Sequence, residues 1–268
     1  MVVFTNVKKS GIAKLITKGY KNDVPKTVHE QYRLKKGNVI LILYNSGKLL
    51  LQGKEDAVEK VSAQLQKLKI GKEVSPEHFR KETGWMIGSD ESLKCDTFGG
   101  LVAAAVKADD KVRKKLLELG VADSKKLADK EIMNMAEKIK KIAPSYIQSL
   151  LPEEYNHHGK VTEMLNRMHA QCAKYLLPGK HVVDKYPGCS VGDIQETKAE
   201  SKYVEVAAAS VLARAAALKQ LNYLSMKAGF AVPKGSTHVK DALQELKDRR
   251  FNLKEFVKVD FRNVAEFL

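Results

Sequence analysis

The sequence of 268 residues is poor in cysteine and has no long apolar run. Its three cysteines, Cys95, Cys172 and Cys189, lie far apart and form no Cys-x-x-Cys spacing. This argues against a disulfide framework or a thiolate metal site, and it suits a reducing compartment. The chain shows no charged-then-apolar leader and no apolar segment of membrane-spanning length. We therefore expect a cytoplasmic protein that has no contact with membranes.

Acidic residues are scarce in the first quarter of the chain. Residues 1–72 hold 15 Lys and Arg against 5 Asp and Glu, which gives +10 of the chain's net charge of +15. A basic surplus concentrated in this way points to a polyanion, and nucleic acid is the first candidate. The alternative is an ordinary domain with lysine-rich helix faces.

The apolar pattern of this basic segment predicts a small α+β domain. Residues 38–44 and 49–52 are strand-like and flank a turn, so they indicate a hairpin. Apolar residues at helical spacing predict a helix over 55–68. We expect a curved antiparallel sheet backed by helices over residues 1–72.

The remainder of the chain predicts a second, larger domain. Residues 73–84 contain Pro76 and have no clear periodicity, so we interpret them as a linker. Over residues 85–268 strands alternate with helices, which is typical of a mixed α/β sheet flanked by helices. The first strands should be antiparallel because the Gly99-Gly100 link is short.

The elements of this domain follow from periodicity, helix signals and turn residues. The predicted strands are 85–87, 101–106, 145–151 and 181–184, and the predicted helices are 109–119, 129–142, 160–177, 197–224, 237–249 and 264–268.

Two adjacent acids, Asp90 and Glu91, follow the first of these strands. Successive side chains of a regular strand point to opposite faces, so the two could converge only where the strand bends or stops. Gly88 makes a bend plausible. A solvated acidic loop fits the same residues equally well.

Two further acids complete a candidate site. Asp184 ends a short apolar strand, and Glu200 is predicted in the first turn of the alanine-rich helix, where the helix dipole stabilises an anion. Taken alone, each has an ordinary interpretation as a loop acid or a helix N-terminal acid. Clustered carboxylates repel one another unless cations lie among them, and hard oxygen ligands favour magnesium or manganese over zinc. Two such ions about 3.5–4 Å apart could activate water and stabilise the leaving oxygen of a phosphodiester.

Several motifs resemble those of the type 2 ribonucleases H, in the ribonuclease HIII branch. Glutamate at position 200, where ribonuclease HII has aspartate, favours this branch. The hairpin at 44–53 is similar to that of the TATA-box-binding-protein-like domain that precedes the ribonuclease HIII catalytic domain. The catalytic-domain motifs are 89–92 with 96–101, Asp123-Ser124-Lys125, 183–185 and, most specifically, 197–214.

The resemblance implies a ribonuclease H-like domain that cuts the RNA strand of RNA/DNA hybrids and leaves 5′-phosphate and 3′-hydroxyl ends. No obligate protein partner is evident from the sequence. Mg²⁺, with Mn²⁺ as the alternative, would be held by the four catalytic residues Asp90, Glu91, Asp184 and Glu200. The candidate substrate-binding residues are Ser92, Lys94, Ser124, Lys125, Lys126 and Lys48.

The chain departs from the family pattern inside the first motif. Leu93 and Cys95 stand where the pattern has glycines, and Gly100 stands where proline is usual. One alternative is therefore a hybrid-binding homologue with weakened or lost catalysis. Another is a ribonuclease HII-like enzyme that cuts at single ribonucleotides. We interpret His169 as a structural residue, and neither Ser124 nor Ser210 has a nearby His or Asp arrangement that suggests a nucleophile.

Overall fold

The computed structural model describes residues 2–74, 80–121 and 127–268. The chain forms two compact units, Met1–Arg80 and Lys81–Leu268. The division falls inside the segment that we predict as a linker, residues 73–84, of which 75–79 lie outside the described residues.

The first unit is a six-stranded antiparallel sheet with two helices. The predicted hairpin is confirmed, since β4 and β5 pair antiparallel with Leu41 opposite Leu51. The strand order is β2-β3-β4-β5-β1-β6. The strands are β1 (Val2–Thr5), β2 (Lys21–Asp23), β3 (Glu30–Lys36), β4 (Val39–Tyr44), β5 (Leu49–Gln52) and β6 (Lys72–Val74), and the helices are α1 (Lys9–Ile16) and α2 (Glu55–Lys67).

One face of this sheet is buried against the helices. Alternate strand residues such as Leu41 and Leu51 share a core with Leu15 of α1 and Leu65 of α2. Because side chains alternate along a strand, the intervening residues Ile42 and Leu50 lie on the other face. The unit therefore has its own hydrophobic core.

The second unit is built on a five-stranded mixed sheet of order β11-β10-β7-β8-β9. Strands β7, β8 and β9 are antiparallel, as the short Gly99-Gly100 link predicts, whereas β10 lies parallel to both β7 and β11. The strands are β7 (Met86–Ser92), β8 (Leu101–Ala108), β9 (Ser145–Leu150), β10 (Lys180–Asp184) and β11 (Ile194–Glu196).

Helices cover both faces of this sheet. The predicted helices over 109–119, 129–142 and 160–177 are confirmed to within a residue or so at each end. The helices are α3 (Asp110–Leu119), α4 (Asp129–Ile142), α5 (Pro152–Asn156), α6 (Val161–Leu176), α7 (Val204–Ala228) and α8 (Lys240–Asp248).

The central strand β8 separates two cores. Val102 and Ala104 face a core that contains α7, while Ala103 and Ala105 face one that contains α6. Small side chains on β8 let both helices approach the sheet closely. The two helices therefore lie close to the acidic end of the neighbouring strand β7.

Two helix predictions are wrong in detail. The helix predicted over 197–224 begins only at Val204, because Tyr203 has extended backbone and Lys198 has left-handed backbone with φ 58°. Residues Ala199–Ser201 form a separate 3₁₀ turn. The helix predicted over 264–268 is also a 3₁₀ turn, Ala265–Phe267.

Candidate active site

Asp90 and Glu91 lie on opposite faces of β7. The strand pairs with β8 in unbroken register from Met86 to Ser92, so the bend that Gly88 made plausible does not occur. Gly88 serves packing instead, because a Cβ there would lie 2.3 Å from the backbone N of Val206 in α7. Asp90 therefore faces α7 and Glu91 faces α6.

Asp184 is brought to Asp90 by strand pairing. β10 runs parallel to β7 with Val183 opposite Ser89, so the next pair in register is Asp184 and Asp90. Paired residues of neighbouring strands share a face. The two carboxyl groups, 94 residues apart in sequence, accordingly meet at one end of the sheet.

Asp90 is buried in a site that disfavours its charge. Its Oδ1 accepts a hydrogen bond from the amide of Glu91 at 2.8 Å, and its side chain is hydrogen-bonded to Ser210 of α7. Burial, together with the charges of Glu91 and Asp184, raises the pKa of Asp90 to about 8 despite these bonds. A nearby cation would reverse this effect.

Glu91 has the opposite electrostatic character. Lys94 Nζ lies 3.1 Å from one of its carboxylate oxygens and His169 Nε2 lies 3.3 Å from the other. Burial opposes ionisation, but His169 and Lys94 outweigh it and lower the pKa of Glu91. The structure thus holds Glu91 ionised beside a carboxyl group that is mostly protonated.

A buried chain of polar side chains orients Glu91. Ser89 Oγ lies 2.8 Å from His169 Nδ1 and 2.7 Å from His181 Nε2. Burial lowers the pKa of His181 to about 4, so its ring is neutral at pH 7. When the His169 ring carries one proton, one pattern satisfies every group: His181 donates to Ser89, Ser89 to His169, and His169 to Glu91. His169 is therefore tied to the site, which its sequence position did not indicate.

Asp184 and Glu200 meet at the start of the 3₁₀ turn. Asp184 Oδ1 accepts a hydrogen bond from the amide of Ala199 at 3.0 Å. Burial raises the pKa of Asp184, and the charges of Glu200 and Glu91 add to the effect. Glu200 lies in a separate turn before α7, so its predicted place in the first turn of that helix is wrong.

The four acids have the donor chemistry of a magnesium or manganese site. They offer hard oxygen ligands without thiolates, and burial, to which the charges of neighbouring acids add, raises the pKa values of Asp90 and Asp184. Across residues 2–74, 80–121 and 127–268, no three His, Cys, Asp or Glu side chains lie close enough together to hold a metal ion as they stand. Asp90, Glu91 and Asp184 instead accept hydrogen bonds from protein donors.

The altered loop after β7 keeps left-handed backbone at Leu93. Its φ is 68°, a region that favours glycine, and its side chain is turned into the core with 4% exposure. Cys95 is exposed. The leucine therefore occupies protein interior rather than the space beside the loop.

Gly100 has a specific partner in this chain. Its amide donates to Gln220 Oε1 at 3.0 Å, and Gln220 donates in turn to the carbonyl of Leu150 at 2.8 Å. A Cβ at Gly100 would lie 2.1 Å from that carbonyl oxygen. Proline, which has a Cβ and no amide hydrogen, does not fit here.

The candidate substrate-binding residues lie in different parts of the molecule. Ser92 ends β7, and Lys94 lies between Glu91 and the ring of Tyr186, with Nζ 4.7 Å from the ring centroid. Lys48 lies in the first unit, in the turn between β4 and β5. Ser124, Lys125 and Lys126 lie outside the described residues.

Sequence reasoning missed four residues around the site. Ser89 precedes the acids and could have been found by its place in the motif. His181 and Ser210 gave no such signal, because their partners come from other elements. Lys258 resembles any surface lysine in the sequence, yet it is fully buried beneath the loop after β7.

Asp90→Asn is expected to stabilise the metal-free protein at alkaline pH. The folded state keeps the Asp90 proton up to a pKa of about 8, whereas the unfolded state releases it near 3.8. The contribution of Asp90 to the free energy of unfolding therefore falls as pH rises through this window. Urea unfolding with a chelator at pH 4.5 and 8 should show the variant gaining on the order of 3 kcal/mol over the parent between these two pH values. The exposed control Asp248→Asn should show no such gain, and a parallel response of all three proteins would contradict the assignment.

The sheet and its carboxylates define a class of protein. A mixed five-stranded sheet with acids at one end, beside a lysine, has the chemistry to hold divalent ions, as metal-dependent phosphodiester hydrolases require.

Comparison with known proteins identifies the family within this class of hydrolases. The family model described as Ribonuclease HII matches residues 87–264. Ribonuclease HIII of Exiguobacterium sibiricum is 31% identical over 89% of this chain and 87% of its own length. Ribonuclease HIII of Enterococcus faecalis is 30% identical over 97% of this chain and 96% of its own.

Solved structures of RNase HIII and RNase HII are also similar to this chain. The crystal structure of Bst-RNase HIII in complex with Mn²⁺ covers 99% of this chain and 97% of its own, with a TM-score of 0.66 and 25% identity. RNase HII of Archaeoglobus fulgidus, solved in a complex with PCNA, covers 66% of this chain and 95% of its own, with a TM-score of 0.59 and 26% identity.

The chain belongs to the type 2 ribonuclease H family, and its curated relatives are ribonucleases HIII. It is an endoribonuclease of the ribonuclease H type, a metal-dependent hydrolase. Within the described residues, no helix is both long and apolar enough to cross a membrane.

Proposed function

We propose that this chain hydrolyses the RNA strand of RNA/DNA hybrids at the site formed by Asp90, Glu91, Asp184 and Glu200, leaving 5′-phosphate and 3′-hydroxyl ends. The observation that carries the proposal is the placement of Asp90 and Asp184 on one sheet face, where burial and the charges of neighbouring acids raise the pKa of both carboxyl groups. Two Mg²⁺ or Mn²⁺ ions would be held by these four acids. When bound, such ions activate a water molecule and neutralise the leaving oxygen.

The residues around the acids have distinct roles in this proposal. Ser210 and the amide of Ala199 orient Asp90 and Asp184. His169 holds Glu91 in place through a hydrogen bond, and Lys94 adds a positive charge beside it. Lys94 is also placed to approach a phosphate of the RNA strand, since it is partly exposed and directly follows the altered position Leu93.

The first unit would bind the hybrid. Its basic surplus is suited to phosphate contacts, which supply most of the sequence-independent affinity for nucleic acid. We assign it to the TATA-box-binding-protein-like domain predicted over residues 1–72, with Lys48 in its β4–β5 turn among the contacts. A hybrid substrate and three free cysteines suit the cytoplasm.

Cleavage at single ribonucleotides, as a ribonuclease HII-like enzyme, is the second candidate function. Two observations favour the HIII assignment: Glu200 stands at the fourth acid position, and the first unit has its own sheet and core. The archaeal RNase HII structure covers only 66% of this chain, whereas Bst-RNase HIII covers 99%.

A cleavage assay tests the proposal and separates these candidates. Three labelled duplexes are compared with and without Mg²⁺ or Mn²⁺: a continuous RNA/DNA hybrid, a DNA duplex with one ribonucleotide, and plain DNA. We expect cuts at many positions of the RNA strand only with a divalent ion, with product ends that a ligase requiring 5′-phosphate accepts. Exclusive cutting at the single ribonucleotide would establish the HII-like activity, and no cutting of any duplex would contradict both.

The altered loop permits a sharper test of the weakened-catalysis alternative. Leu93 is buried and already has the backbone conformation of a glycine, so the exposed Cys95 is the side chain able to obstruct the RNA strand. We expect Cys95→Gly to raise kcat/KM on a hybrid by up to about tenfold. We expect Leu93→Gly to lower the free energy of unfolding by about 2–3 kcal/mol through lost packing, partly offset by relief of the left-handed leucine. If Cys95→Gly leaves kcat/KM unchanged, the loop does not limit this enzyme.

A further inference from the structure

Lys258 is a fully buried lysine that contacts the loop after β7. Its ammonium donates hydrogen bonds to the carbonyl of Leu93, at 2.7 Å, and to the carbonyl of Asp96. The rings of Tyr155 and Phe261 lie 5.3 and 5.2 Å from Nζ. Burial lowers the pKa of Lys258 to about 8, so the group is still mostly charged at pH 7. A buried charge retained at this cost needs an explanation.

The geometry of the peptide bond connects this contact with the loop's outer surface. The carbonyl and the following N–H of a trans peptide point in opposite directions. Since Lys258 draws the carbonyl of Leu93 inward, the N–H of Lys94 points away from the protein interior. Among the hydrogen bonds of the described residues, none has the amide of Lys94 or Cys95 as its donor. The amide of Lys94 is therefore available on the outer side of the loop, and the next amide, that of Cys95, has no acceptor among the described residues.

Hydrogen bonds with later parts of the chain hold the remaining loop residues, 96–99, in place. The amide of Lys258 donates to the carbonyl of Thr97 at 3.1 Å, and the amide of Gly99 donates to the carbonyl of Phe256 at 3.0 Å. The Asp96 carboxylate accepts from the amide of Gly235 at 2.7 Å. These three bonds tie residues 96–99 to Gly235, Phe256 and Lys258, so later parts of the chain hold the loop in place.

Leucine has an unfavourable left-handed backbone at position 93, whereas glycine would have none of this cost. Charge-assisted hydrogen bonds are stronger than neutral ones, and the Leu93 carbonyl accepts two donors, Lys258 Nζ and the amide of Asp96 at 3.2 Å. The hydrogen bond from the Lys258 ammonium thus stabilises the left-handed backbone at position 93, which the leucine side chain disfavours.

We propose that Lys258 is a positioning residue for the substrate: from beneath, it holds the carbonyls of Leu93 and Asp96 so that the amides of Lys94 and Cys95 face the RNA strand and read its ribose-phosphate backbone. The inference rests on the proposed function, since it requires an RNA strand at this loop. It assigns a role in recognition to a residue that touches neither substrate nor the four acids.

Lys258→Met tests this role, because methionine fills similar space but cannot donate. Steady-state cleavage of a hybrid should show KM raised about tenfold with kcat changed less than about threefold. Hybrids with 2′-deoxy or 2′-fluoro residues at the scissile and neighbouring positions should also be compared. These substrates should lower kcat/KM less in the variant than in the parent, because the variant's recognition of the 2′-hydroxyl is already weakened. The affinity for Mn²⁺, measured by calorimetry without substrate, should be unchanged. Lys254→Met, at an exposed lysine four residues earlier, is the matched control and should behave as the parent.

Unchanged KM and unchanged 2′ discrimination in a folded Lys258→Met protein would overturn the inference. Should that variant fail to fold, Lys258→Arg decides: arginine keeps the charge but its longer reach displaces both carbonyls, so a folded variant with higher KM and reduced 2′ discrimination supports the role. An arginine variant with the parental KM and the parental 2′ discrimination would overturn the inference, because it would show that the buried charge at position 258 serves only stability. A parent that cleaves no hybrid would defeat the proposed function itself, before any variant is compared.

Discussion

Asp184→Asn should abolish hydrolysis of an RNA/DNA hybrid while leaving hybrid binding nearly unchanged. The substitution preserves shape, and the asparagine Oδ1 can still accept the hydrogen bond from the amide of Ala199. What it removes is the negative charge beside Asp90 and Glu200, which a divalent ion requires. We expect kcat/KM to fall by a factor of about 1,000 or more, which corresponds to about 4 kcal/mol of transition-state stabilisation.

Hydrolysis and binding are both measured on the same RNA/DNA hybrid. Cleavage is followed with Mg²⁺ and binding is followed by anisotropy with Ca²⁺ or a chelator in its place. Asp248→Asn, an exposed carboxylate on α8, controls for the loss of one negative charge and should keep parental activity. If Asp184→Asn cuts within about tenfold of the parental rate, Asp184 is not a ligand of the catalytic ions.

Removal of the first unit, Met1–Arg80, should weaken hybrid binding and flatten its salt dependence without abolishing chemistry. Residues 1–72 carry two thirds of the net charge, and each phosphate contact contributes about −0.7 to −0.9 to the slope of log affinity against log salt. Loss of about four contacts would reduce the slope by about 3. The second unit, Lys81–Leu268, has its own cores, so it should fold and cut at high enzyme concentration.

The salt titration distinguishes binding from solubility as the role of this charge. A matched full-length variant replaces three exposed first-unit lysines, Lys9, Lys21 and Lys35, by glutamine, which lowers the charge without touching the buried core. An affinity that falls in the truncated protein but keeps its slope would mean that the unit contributes apolar contacts. An unchanged affinity and slope would show that its charge faces solvent and plays no part in binding.

The sequence determined the elements with strong local signals. The hairpin of β4 and β5, the helices α4 and α6 and the antiparallel start of the second sheet all depend on periodicity, turn residues and short links, which act between neighbours in the chain. Alanine-rich α7 was placed correctly as a buried helix. Its start was not, because a left-handed residue at Lys198 and extended backbone at Tyr203 carry no distinctive composition.

The sequence by itself also determined which acids to consider, because carboxylates in a recognisable motif are local information. Only the tertiary structure decided how they relate: parallel pairing of β10 with β7 sets Asp184 beside Asp90, and α6 brings His169 to Glu91. The same holds for Lys258, whose ammonium lies 2.7 Å from a carbonyl 165 residues earlier in the chain. Contacts over such separations depend on how sheet and helices pack, and no spacing in the sequence records them.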